Sequence, residues 1–185
     1  MYTFKKVCVT NRHLTDRPLY EQLKIVFAIL KPDVVILREK DLSEDEYREL
    51  AYKVKLLCDL YSVRLIVNKY YKVARELGTT VQLPINDYES NVRSLNGLSV
   101  WVSVHSLQEA IRAEESSVNA IIAGHIYETD CKRGLPGRGI EFLTSIVEQV
   151  DVPVYAIGGI DEFNIEEVAS TGASGACQMS FYMKL

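Results

Sequence analysis

Short β-branched apolar runs recur along the chain. Between them lie stretches whose apolar residues return every three or four positions. Eight runs stand out: Lys6–Thr10, Val34–Leu37, Arg64–Asn68, Thr80–Leu83, Ser99–Val104, Asn119–Ala123, Pro153–Ile157 and Gly175–Met179. Most are continuously apolar, which is how a parallel strand buried on both faces reads. The intervening pattern predicts helices over Leu19–Leu30, Ser43–Leu60, Tyr71–Leu77, Ser106–Glu115, Gly139–Gln149 and Asn164–Ser170. Ser43 followed by Glu46 is a capping box, Ser106 with Glu109 is an N-cap, and Gly78 and Gly172 are C-terminal stops. Asp87–Leu95 reads equally as a short helix or a loop.

Repeated strand–helix alternation demands a parallel sheet with right-handed crossovers. Eight units predict an α/β fold, a closed (β/α)₈ TIM barrel, with residues 1–185 as one domain. Such barrels usually have about 250 residues, and this chain has 185. Only Phe181–Leu185 follow the eighth run, so the barrel is expected to lack most of its last helix.

Charge and cysteine usage narrow the function. Lys and Arg total 21 against 25 Asp and Glu, a net charge of -4. A nucleic-acid or anionic-membrane binder would carry a basic surplus instead. No apolar run approaches the roughly 18 residues of a membrane span, and Met1–Lys6 lacks the apolar stretch of a secretory signal. The expectation is a soluble, cytoplasmic protein without nucleic-acid or membrane partners. Cys8, Cys58, Cys131 and Cys177 form no CxxC pair and have no histidine at zinc spacing, so no structural metal is expected. Cys8, Cys58 and Cys177 read as small hydrophobes, whereas Cys131 lies in a polar loop.

In such a barrel the site is built at the C-terminal strand ends. Gly158-Gly159 after the seventh run, with the turn after the eighth, predict a phosphate cradle; a plain tight turn is the alternative. The loop Gly124–Gly139 is long and polar, as functional loops are. His125 opens it and is the best acid/base candidate, since its ordinary pKa lies near neutrality. Lys132 and Arg138 could serve a bound phosphate or meet only water. After the second run, Arg38 and Lys40 are read as alternating in direction, so that one grips an anion in the mouth. The alternative is a surface ion pair with Glu39. His13 and His105 read as local, Tyr70-Tyr71 as helix-start packing and Trp101 as core.

These strand-end residues carry a resemblance. Leu37-Arg38-Glu39-Lys40-Asp41, Leu65-Ile66-Val67-Asn68, Val102-Ser103-Val104-His105-Ser106-Leu107 and Val154-Tyr155-Ala156-Ile157-Gly158-Gly159-Ile160 resemble the thiamine phosphate synthase superfamily. The resemblance spans nearly the whole chain. The superfamily has two branches. The synthase branch joins a pyrimidine pyrophosphate to a thiazole phosphate and needs Mg²⁺. Its pattern has Gln where this chain has Ile36, and Asn-Asp where it has Asn68-Lys69. Mg²⁺ takes oxygen ligands, so Lys69 works against it, although Asp87 matches the other metal-binding aspartate. After the sixth strand the synthase pattern is Gly-Pro and Thr-x-Thr-Lys, against Gly124-His125 and Thr129-Asp130-Cys131-Lys132 here.

That last string, with Val81-Gln82-Leu83-Pro84, resembles the TenI-type thiazole tautomerases. This resemblance implies an isomerase that converts a carboxythiazole phosphate tautomer to its aromatic form in thiamine biosynthesis, with His125 as proton shuttle. It implies no cofactor and no metal, a phosphorylated thiazole as partner, and a homodimer. It places Arg38, Lys40, Asn68, Gln82, Thr129, Lys132, Gly158, Gly159, Met179 and Ser180 around the substrate. The alternatives are the Mg²⁺-dependent synthase, or a non-catalytic regulatory protein that binds thiazole or thiamine phosphate.

Overall fold

The alternation closes on itself. The computed structural model describes residues 4–129 and 134–185. Its strands are β1 (Lys5–Val9), β2 (Val34–Leu37), β3 (Arg64–Asn68), β4 (Thr80–Pro84), β5 (Val100–Val104), β6 (Ala120–Gly124), β7 (Val154–Ile157) and β8 (Gly175–Gln178). They form a closed barrel in chain order. Every neighbour is parallel, and β8 pairs back onto β1 with Cys177 opposite Val7. The helices are α1 (Leu19–Ile29), α2 (Glu44–Tyr61), α3 (Tyr71–Glu76), α4 (Ile85–Leu95), α5 (Leu107–Glu115), α6 (Gly139–Gln149), α7 (Ile165–Ser170) and α8 (Ser180–Met183).

Local chemistry sets several of these boundaries. The capping box forms at α2, where Ser43 accepts from the Glu46 N–H and Glu46 accepts from the Ser43 N–H. Ser106 caps α5 in the same manner, accepting from the Glu109 N–H. The ambiguous stretch around Asp87 is helical: α4 starts directly after Pro84, whose φ of -58° suits a helix entry.

Period-two alternation sorts the strand residues into two layers. Val7, Val9, Val34, Ile36, Ile66, Trp101, Ile122, Tyr155 and Cys177 fill the barrel interior, with Trp101 and Tyr155 stacked at 4.3 Å. The intervening Cys8, Val35, Leu37, Val67, Val102 and Ala123 pack outward into the helix layer. The helix α8 is a single turn. Tyr182 and Met183 in that turn are nevertheless buried. The Gln22 amide donates to the Tyr182 carbonyl at 2.9 Å and Arg17 to that of Leu185 at 2.8 Å, which ties the end of the chain to α1. Cys8, Cys58 and Cys177 are buried free thiols, and burial pushes Cys58 up to about 12. Cys131 lies outside the described residues. Among those described, no helix is long and apolar enough to cross a membrane.

Candidate active site

The alternation that fills the barrel also aims its last layer of side chains. Continuing the interior positions Ile36, Ile66, Trp101 and Cys177 by two residues gives Arg38, Asn68, Ser103 and Met179. All four line one cavity of about 990 Å³ at the C-terminal mouth. Gln82, on β4, joins them.

Arg38 and Lys40 both line this cavity, which corrects the expectation that only one of them faces the mouth. Two residues apart, they share a side, and the intervening Glu39 turns away. Glu39 is 2% exposed. It accepts from the Thr10 hydroxyl at 2.6 Å, from the Arg12 N–H and from the Arg12 guanidinium, so it is not the surface partner of its neighbours. The Arg12 guanidinium also forks onto Asp41 at 2.7 and 2.6 Å. That bridge clamps the loop after β1 to the loop after β2.

The Arg12 contact holds the Asp41 carboxyl down at about 2, with a smaller contribution from His13. A depressed carboxylate contributes above its ordinary pKa of about 3.9, and the contribution is lost as pH falls through about 2. Asp41 is therefore expected to titrate near pH 2, and Arg12→Gln to move it back toward the ordinary range. Carboxyl NMR titration reads both; an unmoved midpoint in the variant would refute the clamp.

The next three strand ends are linked by one hydrogen-bonded chain. Tyr47 donates to the Leu37 carbonyl at 2.5 Å and accepts from the Asn68 N–H at 3.0 Å, joining the ends of β2 and β3. The Asn68 amide donates to Gln82 Oε1 at 2.6 Å, and Gln82 Nε2 donates to Ser103 Oγ at 2.8 Å. Each amide is oriented by its neighbour, so this wall of the cavity is rigid and polar.

On the other side, the loop after β6 leans on the loop after β7. The N–H groups of Ile126 and Tyr127 donate to the carbonyls of Ile157 and Gly158 at 2.9 and 3.0 Å. Gly158 and Gly159 have φ of +107° and +64°; a Cβ on the first would sit 2.4 Å from His125 Cβ, and one on the second 2.4 Å from the Glu128 carbonyl. The glycine pair thus serves a close loop contact as well as lining the cavity.

His125 is 6% exposed, and its Nε2 faces the carbonyls of Pro136 and Leu135 at 3.0 and 3.4 Å. Carbonyls only accept, so Nε2 carries the proton. Nδ1 is buried without a partner among the described residues. The ring ties the two ends of its own loop together. His105 is similarly local, its Nδ1 lying 2.6 Å from the Gly124 carbonyl.

Thr129, Met179 and Ser180 line the same cavity, whereas Lys132 lies outside the described residues. Other lining residues were not singled out from the sequence, among them Ser103, Gln178, Phe163 and the carboxylates Glu128, Asp161 and Glu162. Strand parity would have found Ser103; Phe163, 89% exposed, carries no periodic signal.

The model of the family described as thiamine monophosphate synthase matches residues 6–181. The chain belongs to this family. A thiamine-phosphate synthase of Clostridium acetobutylicum is 32% identical over 184 residues, covering 96% of this chain and 86% of the relative. One from Pyrococcus abyssi is 34% identical over 175 residues, covering 92% and 84%. The solved thiamine phosphate pyrophosphorylase of Pyrococcus furiosus superposes with a TM-score of 0.84 at 29% identity, covering 98% and 88%.

These relatives overturn the expected thiazole tautomerase, since they are named as synthases or a pyrophosphorylase rather than isomerases. The residues that pointed to the other branch have local explanations. Ile36 is barrel core, and His125 Nε2 is engaged by its own loop.

The Mg²⁺ of the synthase pattern does not fit this mouth. Among the described residues no three of His, Cys, Asp and Glu gather as a ligand set. Asp87 lines the cavity, but Lys69 lines it from the neighbouring strand end, where the pattern needs a second carboxylate. An ammonium ligates no metal and repels one.

Proposed function

We propose that the chain is a thiamine-phosphate synthase that takes two phosphorylated substrates, a pyrimidine bearing a methylene pyrophosphate and a thiazole phosphate. The observation that carries this reading is the placement of a cationic end and a glycine-lined end across one cavity. Arg38, Lys40 and Lys69 line it from the ends of β2 and β3, and Gly158, Gly159 and Ser180 from those of β7 and β8. In a closed ring of eight strands, β3 and β7 stand opposite each other.

The chemistry asks little of the protein beyond placement and charge. The lone pair of the thiazole nitrogen forms a bond to the pyrimidine methylene carbon. The carbon–oxygen bond to pyrophosphate breaks, and its electron pair leaves on that group. Arg38 and Lys40 stabilise the negative charge that grows on the departing oxygen. The Asn68–Gln82–Ser103 chain orients the pyrimidine, and the glycine end holds the thiazole phosphate through backbone N–H groups. The attacking nitrogen carries no proton, so no general base is required. That agrees with a histidine whose Nε2–H is held by its own loop, and His125 here positions the loop.

Purified protein given both substrates is expected to form thiamine phosphate and an equal amount of pyrophosphate, followed by chromatography. Binding of both substrates without product would sink the reading in favour of a ligand-binding protein.

A further inference from the structure

The lysine that disturbs the metal site is itself well placed. Lys69 follows β3 in a left-handed conformation with φ of +69°. Its N–H donates to the Gln82 carbonyl at 3.0 Å. Its ammonium lies 5.0 Å from the centre of the Tyr70 ring. That ring is fixed in turn, with its hydroxyl donating to the Leu42 carbonyl at 2.6 Å and its face 4.7 Å from Tyr47. An αL backbone costs a lysine about 1 kcal/mol or more, and in this turn Lys69 lines the cavity.

The charges on this side of the mouth are unequal. Arg38, Lys40 and Lys69 line it from β2 and β3, and Asp87 is the carboxylate contributed by the start of α4. Of the other carboxylates, Glu39 is committed to Thr10 and Arg12 and Asp41 to Arg12 and His13, while Glu128, Asp161 and Glu162 line the cavity from the loops after β6 and β7. Such a surplus suits a polyanion directly, whereas a divalent cation would have to enter against it.

We propose that Lys69 takes the place of the divalent cation in this chain, so that the cavity holds a pyrophosphate group on Arg38, Lys40 and Lys69 without metal. The inference rests on the synthase reading for the choice of pyrophosphate. Ammonium donors can meet the phosphate oxygens that a metal would bridge, and they need no carboxylate ligands. Metal dependence is thereby exchanged for a fixed charge, and Asp87 then serves to balance the cations.

Calorimetric titration of inorganic pyrophosphate, once with a chelator and once with Mg²⁺, tests this directly. The wild-type protein is expected to bind with the chelator present, and Mg²⁺ is expected to leave the affinity unchanged. Lys69→Met should weaken chelated binding about tenfold or more, with no recovery in Mg²⁺. Lys69→Asp should lose as much with the chelator and regain it with Mg²⁺. Lys69 is exposed and aspartate tolerates the left-handed region, so both variants should melt as the wild type does. Wild-type binding only in Mg²⁺, or undiminished chelated binding by Lys69→Met, would overturn the proposal. Metal-free pyrophosphate binding without thiamine phosphate formation would instead remove the synthase reading and leave the role of Lys69 standing.

Discussion

Gly158→Ala is expected to destabilise the protein by about 3 kcal/mol or more and to lower its melting temperature by roughly 10 °C. Two independent costs combine at this position. The backbone holds φ of +107°, and the new Cβ would lie 2.4 Å from His125 Cβ and 2.8 Å from His125 Cα. Neither neighbour is the loose end of a flexible side chain. His125 is fixed by its ring contact with Pro136, and its loop hangs on the carbonyls of Ile157 and Gly158. Relief therefore requires the two loops to part, which opens the cavity on its β6–β7 side. Gly78→Ala is the control: φ is +61° but nothing lies within 4 Å of its Cβ, so the cost should stay near 1 kcal/mol. Differential scanning calorimetry compares the two. Equal melting temperatures would show that the loops do not bear on each other as described.

The second large effect belongs to the cationic end. Arg38→Ala combined with Lys40→Ala is expected to lower kcat/KM for the pyrimidine pyrophosphate by about 100-fold or more, since each removes a charge-assisted contact to the leaving group. The KM for the thiazole phosphate should barely move, because that substrate is assigned to the far side of the ring. The fold should persist, since the Arg12–Glu39–Asp41 clamp is untouched. Steady-state kinetics with each substrate varied separately tests the split. A loss shared equally by both substrates would dissolve the two-ended assignment of the cavity.

Much of this architecture was legible because it depends on local chemistry repeated at regular spacing. Continuous apolar runs of strand length, a capping box at Ser43 and a serine cap at Ser106 are each decided within a few residues. A chain with eight such runs has few ways to bury its strands other than a closed parallel ring. The strand-end positions of Arg38, Asn68, Gln82 and Gly158 follow from the same arithmetic. So does the convergence of Arg38 and Asn68, because the parity that buries Ile36 and Ile66 also aims the residues two further on into the mouth.

What the sequence left open involves contacts between segments far apart in the chain. Nothing near Glu39 announces that it leaves its two basic neighbours for Thr10 and Arg12, nearly thirty positions away. His125 has the composition of a catalytic histidine, and only the return of the loop at Pro136 shows its N–H already taken. The glycine pair reads as a phosphate turn, and nothing near it announces that it also packs against the loop after β6. Periodicity and capping act over single turns and strands, so the sequence alone determined the barrel and its ring of candidate residues. Partner choice among polar groups is a competition settled by distance and burial in the closed ring, and that only the tertiary structure decided.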